Sequence, residues 1–324
     1  MKRQRLALLI PAFNASPFLP RLLASAAAQT EPFDEIWVYD DASTDDTAAV
    51  AAAHGAQVVR GEANRGCSFG KNVLAERTSC EWLHFHDADD ALLPHFVASA
   101  RKWLQADGPD VVLFGYEERQ HEDGALLAVR RFDDGALRRD PLPYVLQAQP
   151  VSIAGIYRRS RFLEAGGFDL DPAVLYHEDV AMHCRLALAG LTFAADGEVT
   201  VVNYRRRASM SSGNPVRCLQ AQYALARKVA AATGGRYAKE LAARLWLTAA
   251  GAAAYLDWPT ADAAAALAMA LAGPLPSAGG GLFRTLCRIS VRAALRVREL
   301  GIRLSRPSLR RTYPPLLGKG RAGS

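Results

Sequence analysis

The sequence predicts an α/β domain, a mostly parallel sheet flanked by helices, with an α-helical C-terminal extension. Three observations carry this. Strand and helix signals alternate from Leu6 to His86. The strands are continuous apolar runs rather than alternating ones, as in sheets covered on both faces. After Pro215 strand signals cease and Ala/Leu-rich helical segments take over. The expected division is 1–214 for the α/β domain and 215–324 for the helical region.

In order, residues 6–10 are an apolar strand, and 17–29 a helix with Leu19, Leu22, Leu23 and Ala26 on one side. Residues 35–39 predict a second strand, 44–54 a helix, 57–60 a third strand, 68–76 a helix and 82–86 the fourth strand. Residues 115–150 are irregular and charged, with turns expected at Asp123-Gly124 and Asp134-Gly135. Further expectations are a strand at 151–157, a short helix at 160–165, a helix at 180–189 ended by Gly190, and a strand at 200–205. A Pro/Gly linker over 273–281 precedes a final helix, 282–304.

Half of the 324 residues are hydrophobic, enough for a full core. Five scattered cysteines with no C-x-x-C pair suit a reducing compartment without structural disulfides. The apolar run after the basic residues 2–5 is too short for a signal peptide and ends at Pro11. No run reaches the roughly 18 apolar residues of a membrane span. A cytoplasmic protein is therefore expected. Charge is unevenly spread: residues 282–324 carry ten Arg, one Lys and one Glu, which leaves −4 of the net +6 for the rest of the chain.

The polar clusters follow strands, where parallel sheets bind ligands. Glu81 to Asp90 is an apolar strand running into three carboxylates, Asp87, Asp89 and Asp90. Like charges crowded at a buried strand end call for a cation, and carboxylates suit Mg²⁺ or Mn²⁺ arriving with a diphosphate. The alternative is a polar turn with Asp90 capping the next helix. In Asp40-Asp41-Ala42-Ser43-Thr44-Asp45-Asp46-Thr47, Asp45 or Thr44 serves as a helix cap, which leaves Asp40 and Asp41 unexplained. A carboxylate there can accept the imide N–H of a uracil or hydrogen-bond a ribose hydroxyl. Asn64-Arg65-Gly66 through Lys71-Asn72 offers backbone N–H groups and two cations to phosphate, but lacks P-loop spacing. No GxGxxG follows a strand, which argues against a dehydrogenase-type dinucleotide fold. Asp179, after His177-Glu178, is a candidate general base; His121-Glu122-Asp123 is the same tripeptide at an expected hairpin tip. His84 and His86 share a strand face near Cys80, and hydrogen bonding explains them more simply than zinc does.

Together these pieces resemble a family 2 glycosyltransferase of the GT-A fold, in order from Leu6 to about Ser212. Leu9-Ile10-Pro11-Ala12-Phe13-Asn14 resembles the family's I-P-x-[YF]-N, and the Asp40 to Thr47 run its D-D-[GA]-S-x-D-x-T. Asn64-Arg65-Gly66 with Asn72 resembles N-x-G…[RK]-N, and Asp87-Ala88-Asp89 its D-x-D. Gly166-Gly167-Phe168-Asp169, Glu178-Asp179, and Tyr204-Arg205 with Ser209-Met210-Ser211 complete the set. The resemblance implies a Rossmann-like sheet and inverting transfer from a nucleotide-diphosphate sugar, a UDP-sugar first. It implies a nucleotide-sugar site of Pro11, Ala12, Phe13, Asn14, Asp40, Asp41, Lys71, Asn72, Asp87, Ala88, Asp89, Glu178 and Arg205. Asp89 with Asp87 would meet Mn²⁺ or Mg²⁺, and Asp179 would deprotonate the acceptor hydroxyl. Lys71 stands where the family often has Arg, so a bidentate phosphate contact is not implied.

The expected partners are a nucleotide-diphosphate sugar and a glycan or lipid-linked acceptor of surface polysaccharide or lipopolysaccharide synthesis. Alternatives are a non-catalytic sugar-nucleotide-binding subunit or a nucleotidyltransferase, for which Pro11-Ala12-Phe13-Asn14 is the wrong loop. Nucleic-acid binding is not expected, since the Arg-rich tail lacks interleaved aromatics. On residues 282–304, Arg284, Arg288, Arg292, Arg296 and Arg303 share one helical face, and Phe283, Leu286, Ile289, Ala293, Val297, Leu300 and Leu304 the other. Either this helix lies on an anionic membrane surface, at the inner face of the membrane, or its apolar stripe packs on the body and its arginines are solvated.

Overall fold

A fully buried strand, β1 (Leu6–Ala12), forms the centre of the sheet. The computed structural model describes residues 3–105, 107–206, 213–274 and 279–311. β1 runs parallel to β2 (Glu35–Asp40) on one side and to β4 (Trp82–Phe85) on the other, and β3 (Gln57–Arg60) extends the sheet beyond β2. Between them run α1 (Leu19–Ala27), α2 (Thr47–Ala53) and α3 (Cys67–Arg77). The four expected apolar positions of α1 are its buried ones. They join Leu6, Leu8 and Ile10 in one core cluster, each such side chain contributing roughly 1.5–3 kcal/mol by leaving water.

Beyond β4 the direction changes. β8 (Gly155–Arg158) pairs antiparallel with β4 and with β6 (Val111–Gln120), and β6 runs parallel to β9 (Phe193–Arg205). β5 (Ala91–Leu92) closes on β9, and β7 (Leu126–Arg130) forms a hairpin with β6. The order is β3-β2-β1-β4-β8-β6-β9-β5. The remaining helices of this part are α4 (Phe96–Arg101), α5 (Asp134–Arg139), α6 (Pro141–Ala148), α7 (Arg159–Glu164) and α8 (Glu178–Leu188). The α/β class with a curled sheet, flanking helices and a helical C-terminal region holds. Because β1, β2 and β4 are parallel, residues 12–14, 40–41 and 86–90 emerge at one sheet edge.

Several expectations are corrected. Residues 115–150 are not irregular: they hold most of β6, β7, α5 and α6. Gly124, at φ +72°, makes the expected hairpin turn. Asp134-Gly135 opens α5 instead, because the Asp133 carboxylate accepts the Ala136 N–H at 3.0 Å and caps a helix there. The strand expected at 151–157 starts as a 3₁₀ turn, Ser152–Ala154. β9 is longer than expected because a register shift near Gly115 carries the charged residues Asp196 to Glu198 within it. Asp90 does not cap a helix; it is buried and accepts from Asn203 Nδ2 at 2.8 Å and the Tyr204 N–H at 2.7 Å, tying the acidic loop to β9.

The chain divides into two compact units, 1–212 and 213–324. The second holds α9 (Pro215–Thr233), α10 (Ala238–Ala254), α11 (Trp258–Ala272), α12 (Gly281–Ile289) and α13 (Val291–Ser305). The single helix expected at 282–304 is two: Ser290 is extended, and its hydroxyl caps α13 by accepting the Ala293 N–H at 3.2 Å. Within the helical unit the expected apolar stripe is divided: Phe283 of α12 packs on Trp246 of α10, whereas the stripe residues of α13 are open. Ala294, Leu295 and Glu299 face inward, Val297, Leu300 and Leu304 are exposed, and Arg296 grips Asp262 of α11 at 2.7 and 2.9 Å.

After Asp40-Asp41 the chain turns through Ala42 at φ +61°, a left-handed conformation that costs an L side chain about 1 kcal/mol. Ala42→Gly should therefore raise the unfolding free energy by up to about 1 kcal/mol, and Ala42→Val should lower it, as read by urea denaturation.

Candidate active site

The carboxyl end of β4, the start of α3 and the start of α8 converge on one ammonium. Lys71, on the second turn of α3, is 1% exposed. Its Nζ lies 3.1 Å from Asp87 Oδ1 and 3.7 Å from Asp179 Oδ1, and donates to Ser152 Oγ at 2.9 Å. The Phe168 ring centroid is 5.1 Å away. Burial would drive the ammonium to its neutral form, but Asp87 and Asp179 outweigh this and hold its pKa well above the ordinary value. Lys71 therefore lies beneath the site, joining two of its carboxylates.

Those carboxylates sit in contrasting environments. Burial would raise Asp179, yet the Lys71 ammonium, Ser152 and His183 hold it below the ordinary aspartate range. Its position in the first turn of α8 adds the favourable field of the helix N-terminus. Asp179 Oδ1 is buried and accepts no hydrogen bond among the described residues. Beside it, burial and the Asp179 charge push Glu178 up to about 7. Asp87 is raised by burial and by Asp179 and Asp89, against Lys71. Beneath the loop, His84 Nδ1 meets Gly155 O at 2.9 Å and His84 Nε2 meets His86 Nδ1 at 3.0 Å. Burial pushes His84 down to about 3 and His86 well below the ordinary value, so the pair is neutral. The two histidines bond each other and the backbone.

The expected nucleoside residues line the edge beside these groups. Phe13 leaves β1 with its ring half exposed, while Pro11 and Ala12 are buried. Asn14, at φ +48°, accepts the Thr44 N–H at 2.9 Å and so joins the loops after β1 and β2. Asp40 accepts from Ser43 N–H at 3.0 Å and Arg60 Nε at 3.1 Å. Asp41 accepts the Arg65 and Gly66 N–H groups at 2.8 and 2.7 Å. Both carboxylates thus shape the loops that follow β2 and β3. Asn72 is engaged likewise: Oδ1 accepts the Phe168 N–H at 2.8 Å and Nδ2 donates to Phe168 O at 3.0 Å. This clamp fixes the Gly-Gly-Phe-Asp loop, where Gly167 is left-handed and an added Cβ would collide with Asn72.

Three participants escaped the sequence reading. Arg206, not Arg205, forms an ion pair with Asp89 and lies over the Phe18 ring, whereas Arg205 is exposed and its carbonyl accepts the His121 N–H. Arg21 donates to the Asp89 carbonyl and stacks on Tyr204, 3.9 Å from the ring centroid. Ser152 links Lys71 to Asp179. The doubled Arg205-Arg206 was the one available signal, the second arginine falling just past the end of β9. Ser209-Met210-Ser211 and residues 312–324 lie outside the described residues.

Among the described residues no three His, Cys, Asp or Glu side chains converge as a cation cage. Asp87 and Asp89, two positions apart with Asp87 raised partly by its neighbours' charge, nonetheless form a donor pair of the kind Mg²⁺ or Mn²⁺ uses when substrate phosphates complete its shell. The residues present fit an ion shared with a ligand, not one held by protein alone.

Two predictions follow from the buried charges. Lys71→Met should lower stability by about 3–5 kcal/mol, since it strands Asp87 and Asp179 without their cation. If Lys71 supports the carboxylates rather than touching a donor, kcat should fall far more than donor KM rises; urea denaturation and steady-state kinetics test this. Glu178→Gln should be pH-dependent. A carboxyl raised from 4.5 to about 7 costs the fold nothing below pH 4.5, and its penalty grows until pH passes about 7. The variant should therefore match the parent at pH 4 and exceed it by roughly 1–3 kcal/mol at pH 8.

The chain is similar to several known proteins. Residues 7–161 match the model of the family described as "Glycosyl transferase family 2". The succinoglycan biosynthesis protein ExoU of Rhizobium meliloti is 37% identical over 110 residues, 32% of this chain and 31% of that protein. The aligned region spans about a third of the curated relatives it matches. S. aureus TarS, solved with UDP-GlcNAc, superposes at TM-score 0.69 and 18% identity, over 93% of this chain and 92% of that one. The mannosyltransferase PcManGT of Pyrobaculum calidifontis, solved with GDP-Man and Mn²⁺, gives 0.56 and 19% over 94% and 88%. The sequence resemblance and the fold thus agree: residues 7–161 match the glycosyl transferase family 2 model, and the chain shares the GT-A fold of these two structures.

Proposed function

We propose that the protein is an inverting glycosyltransferase, moving a sugar from a nucleotide-diphosphate donor, a UDP-sugar first, to an acceptor hydroxyl. The observation that carries this is Asp179, held ionised by Lys71 with one buried oxygen accepting no hydrogen bond, beside the Asp87 and Asp89 strand end. A carboxylate held ionised, whose Oδ1 is ion-paired with Lys71 at 3.7 Å yet accepts no hydrogen bond, keeps acceptor capacity for a hydroxyl proton.

In this reading residues 1–214 are the catalytic domain and 215–324 a helical region. Phe13, with Pro11, Ala12 and Asn14, stacks against the nucleoside, and Asp40 and Asp41 hold the surrounding loops and meet the base or ribose. Lys71 and Asn72 act through the carboxylates and the Gly-Gly loop, and Arg206 replaces Arg205 as the cation facing the diphosphate side. Asp87 and Asp89 would hold Mn²⁺ or Mg²⁺ with the diphosphate. When bound, that ion supplies charge neutralisation for the leaving group. The acceptor hydroxyl attacks the anomeric carbon in line. Its proton passes to Asp179 as the new C–O bond forms, and the bond to the diphosphate breaks with the electron pair leaving on the nucleotide. Because the Asp179 pKa is low, proton transfer accompanies bond formation rather than preceding it. Likeness to the succinoglycan biosynthesis protein ExoU supports an acceptor in polysaccharide synthesis. We read that acceptor as a surface glycan or a lipid-linked one, met at the inner face of the membrane.

The test is a panel of UDP-, GDP- and dTDP-sugars with and without Mn²⁺, read by nucleotide release and sugar transfer. Asp179→Asn should lose about 10²–10⁴-fold in transfer while binding donor within a few-fold of the parent. Asp89→Ala should lose the Mn²⁺-dependent step. Wild-type turnover by Asp179→Asn would point instead to another base, and absence of turnover with intact donor binding to a non-catalytic sugar-nucleotide-binding subunit.

A further inference from the structure

The helices α12 and α13 carry a surface that the candidate active site does not use. In α13, Ala293, Val297, Leu300 and Leu304 recur at steps of four, three and four and share one face. That face is open: Val297 is 54% exposed, Leu300 57% and Leu304 75%, and in α12 Leu282 is 75% and Ile289 82% exposed. Large apolar side chains lined up in this way mark a docking surface rather than chance exposure. The opposite side of α13 is anchored within its own unit. Ala294 and Leu295 are buried, Arg296 and Arg292 meet Asp262, and Arg303 meets the buried Glu299 at 2.9 Å. The arginines pin the helix with its apolar stripe outward.

Charge selects the occupant. Glu299 is the one carboxylate in 279–311, and it is buried and paired. Arg288 and Arg306 are exposed beside the stripe. A second copy seated here would bring the same cations and be repelled. A layer with an apolar interior and anionic headgroups satisfies both halves of the surface. None of the described helices is long and apolar enough to cross a membrane, so the contact lies at the surface.

We propose that α12 and α13 dock the protein on an anionic lipid surface, with Leu282, Ile289, Val297, Leu300 and Leu304 entering the headgroup boundary and Arg288 and Arg306 meeting lipid phosphates. This rests on the helical unit alone and not on the glycosyltransferase reading. The full-length protein should float with vesicles of mixed phosphatidylglycerol and phosphatidylcholine, stay behind with phosphatidylcholine alone, and be released by high salt. The double variant Val297→Asp/Leu304→Asp, altered only at exposed positions, should bind about ten-fold less or worse. It should keep the parental circular dichroism, thermal transition and soluble donor turnover. Arg288→Glu/Arg306→Glu should weaken binding at low salt alone. Parental binding by the aspartate variant, or no vesicle binding by the parent, overturns the proposal. A dimer that sedimentation shows dissolving in the aspartate variant, without vesicle binding, assigns the face to a second copy instead.

Discussion

The architecture of the site depends on the burial of one ammonium. Lys71 reaches no solvent, and a charge in that position is tolerable only where its partners hold it with good geometry. Asp87 comes from the end of β4, Asp179 from the first turn of α8 and Ser152 from the turn before β8. These segments are distant in sequence, and the cation gives them a shared position. The next residue, Asn72, fixes the backbone of Phe168, whose ring lies over the same ammonium. Two adjacent residues of α3 therefore set both the charges and the loop that carries them.

That arrangement sorts neighbouring carboxyls by environment. Asp179 has the ammonium and stays below the ordinary range; Glu178, one residue earlier, has burial and the Asp179 charge against it and rises to about 7. Asp90 is raised well above its ordinary value by burial and by Asp89 and Asp87, despite its bonds to Asn203 and Tyr204, and serves to bind the loop to β9. Three acids of similar intrinsic strength thus have distinct roles because of what each faces.

Much of this was legible in the sequence where it depended on local pattern. The apolar spacing of α1 named its four buried residues, and the runs before Asn14, Asp40 and Asp87 named the strands that present them. What was illegible depended on distant partners. Lys71 reads locally as a cation in a loop facing phosphate, and only Asp87, Ser152 and Asp179 turn it inward. Arg205 and Arg206 are equivalent by spacing. Arg205 is the last residue of β9 and Arg206 follows it, so which of them reaches Asp89 depends on where the strand ends against Gln120, a pairing distant in sequence. β6 and β9 were missed or shortened because charged segments interrupt their apolar runs, while their pairing partners lie some eighty residues apart.

Charge also separates the two units, and the average of +6 conceals it. The helical unit sets Arg292, Arg296 and Arg303 against Asp262 and Glu299 and presents Arg288 and Arg306 to solvent. The candidate site has the opposite balance: Asp87, Asp89 and Asp179 face Lys71 and Arg206, with Glu178 raised by burial and by the Asp179 charge. In the proposed reaction an incoming diphosphate would add negative charge to a place that already holds more acid than base. Lys71 cannot move to meet it without abandoning Asp87 and Asp179 in a buried setting. The cations free to change partner are therefore those at the solvent side, Arg206 on Asp89 and any ion that arrives with the diphosphate. The acidic edge favours a ligand that brings its own positive charge, and this links the choice of donor to the carboxylates at the end of β4.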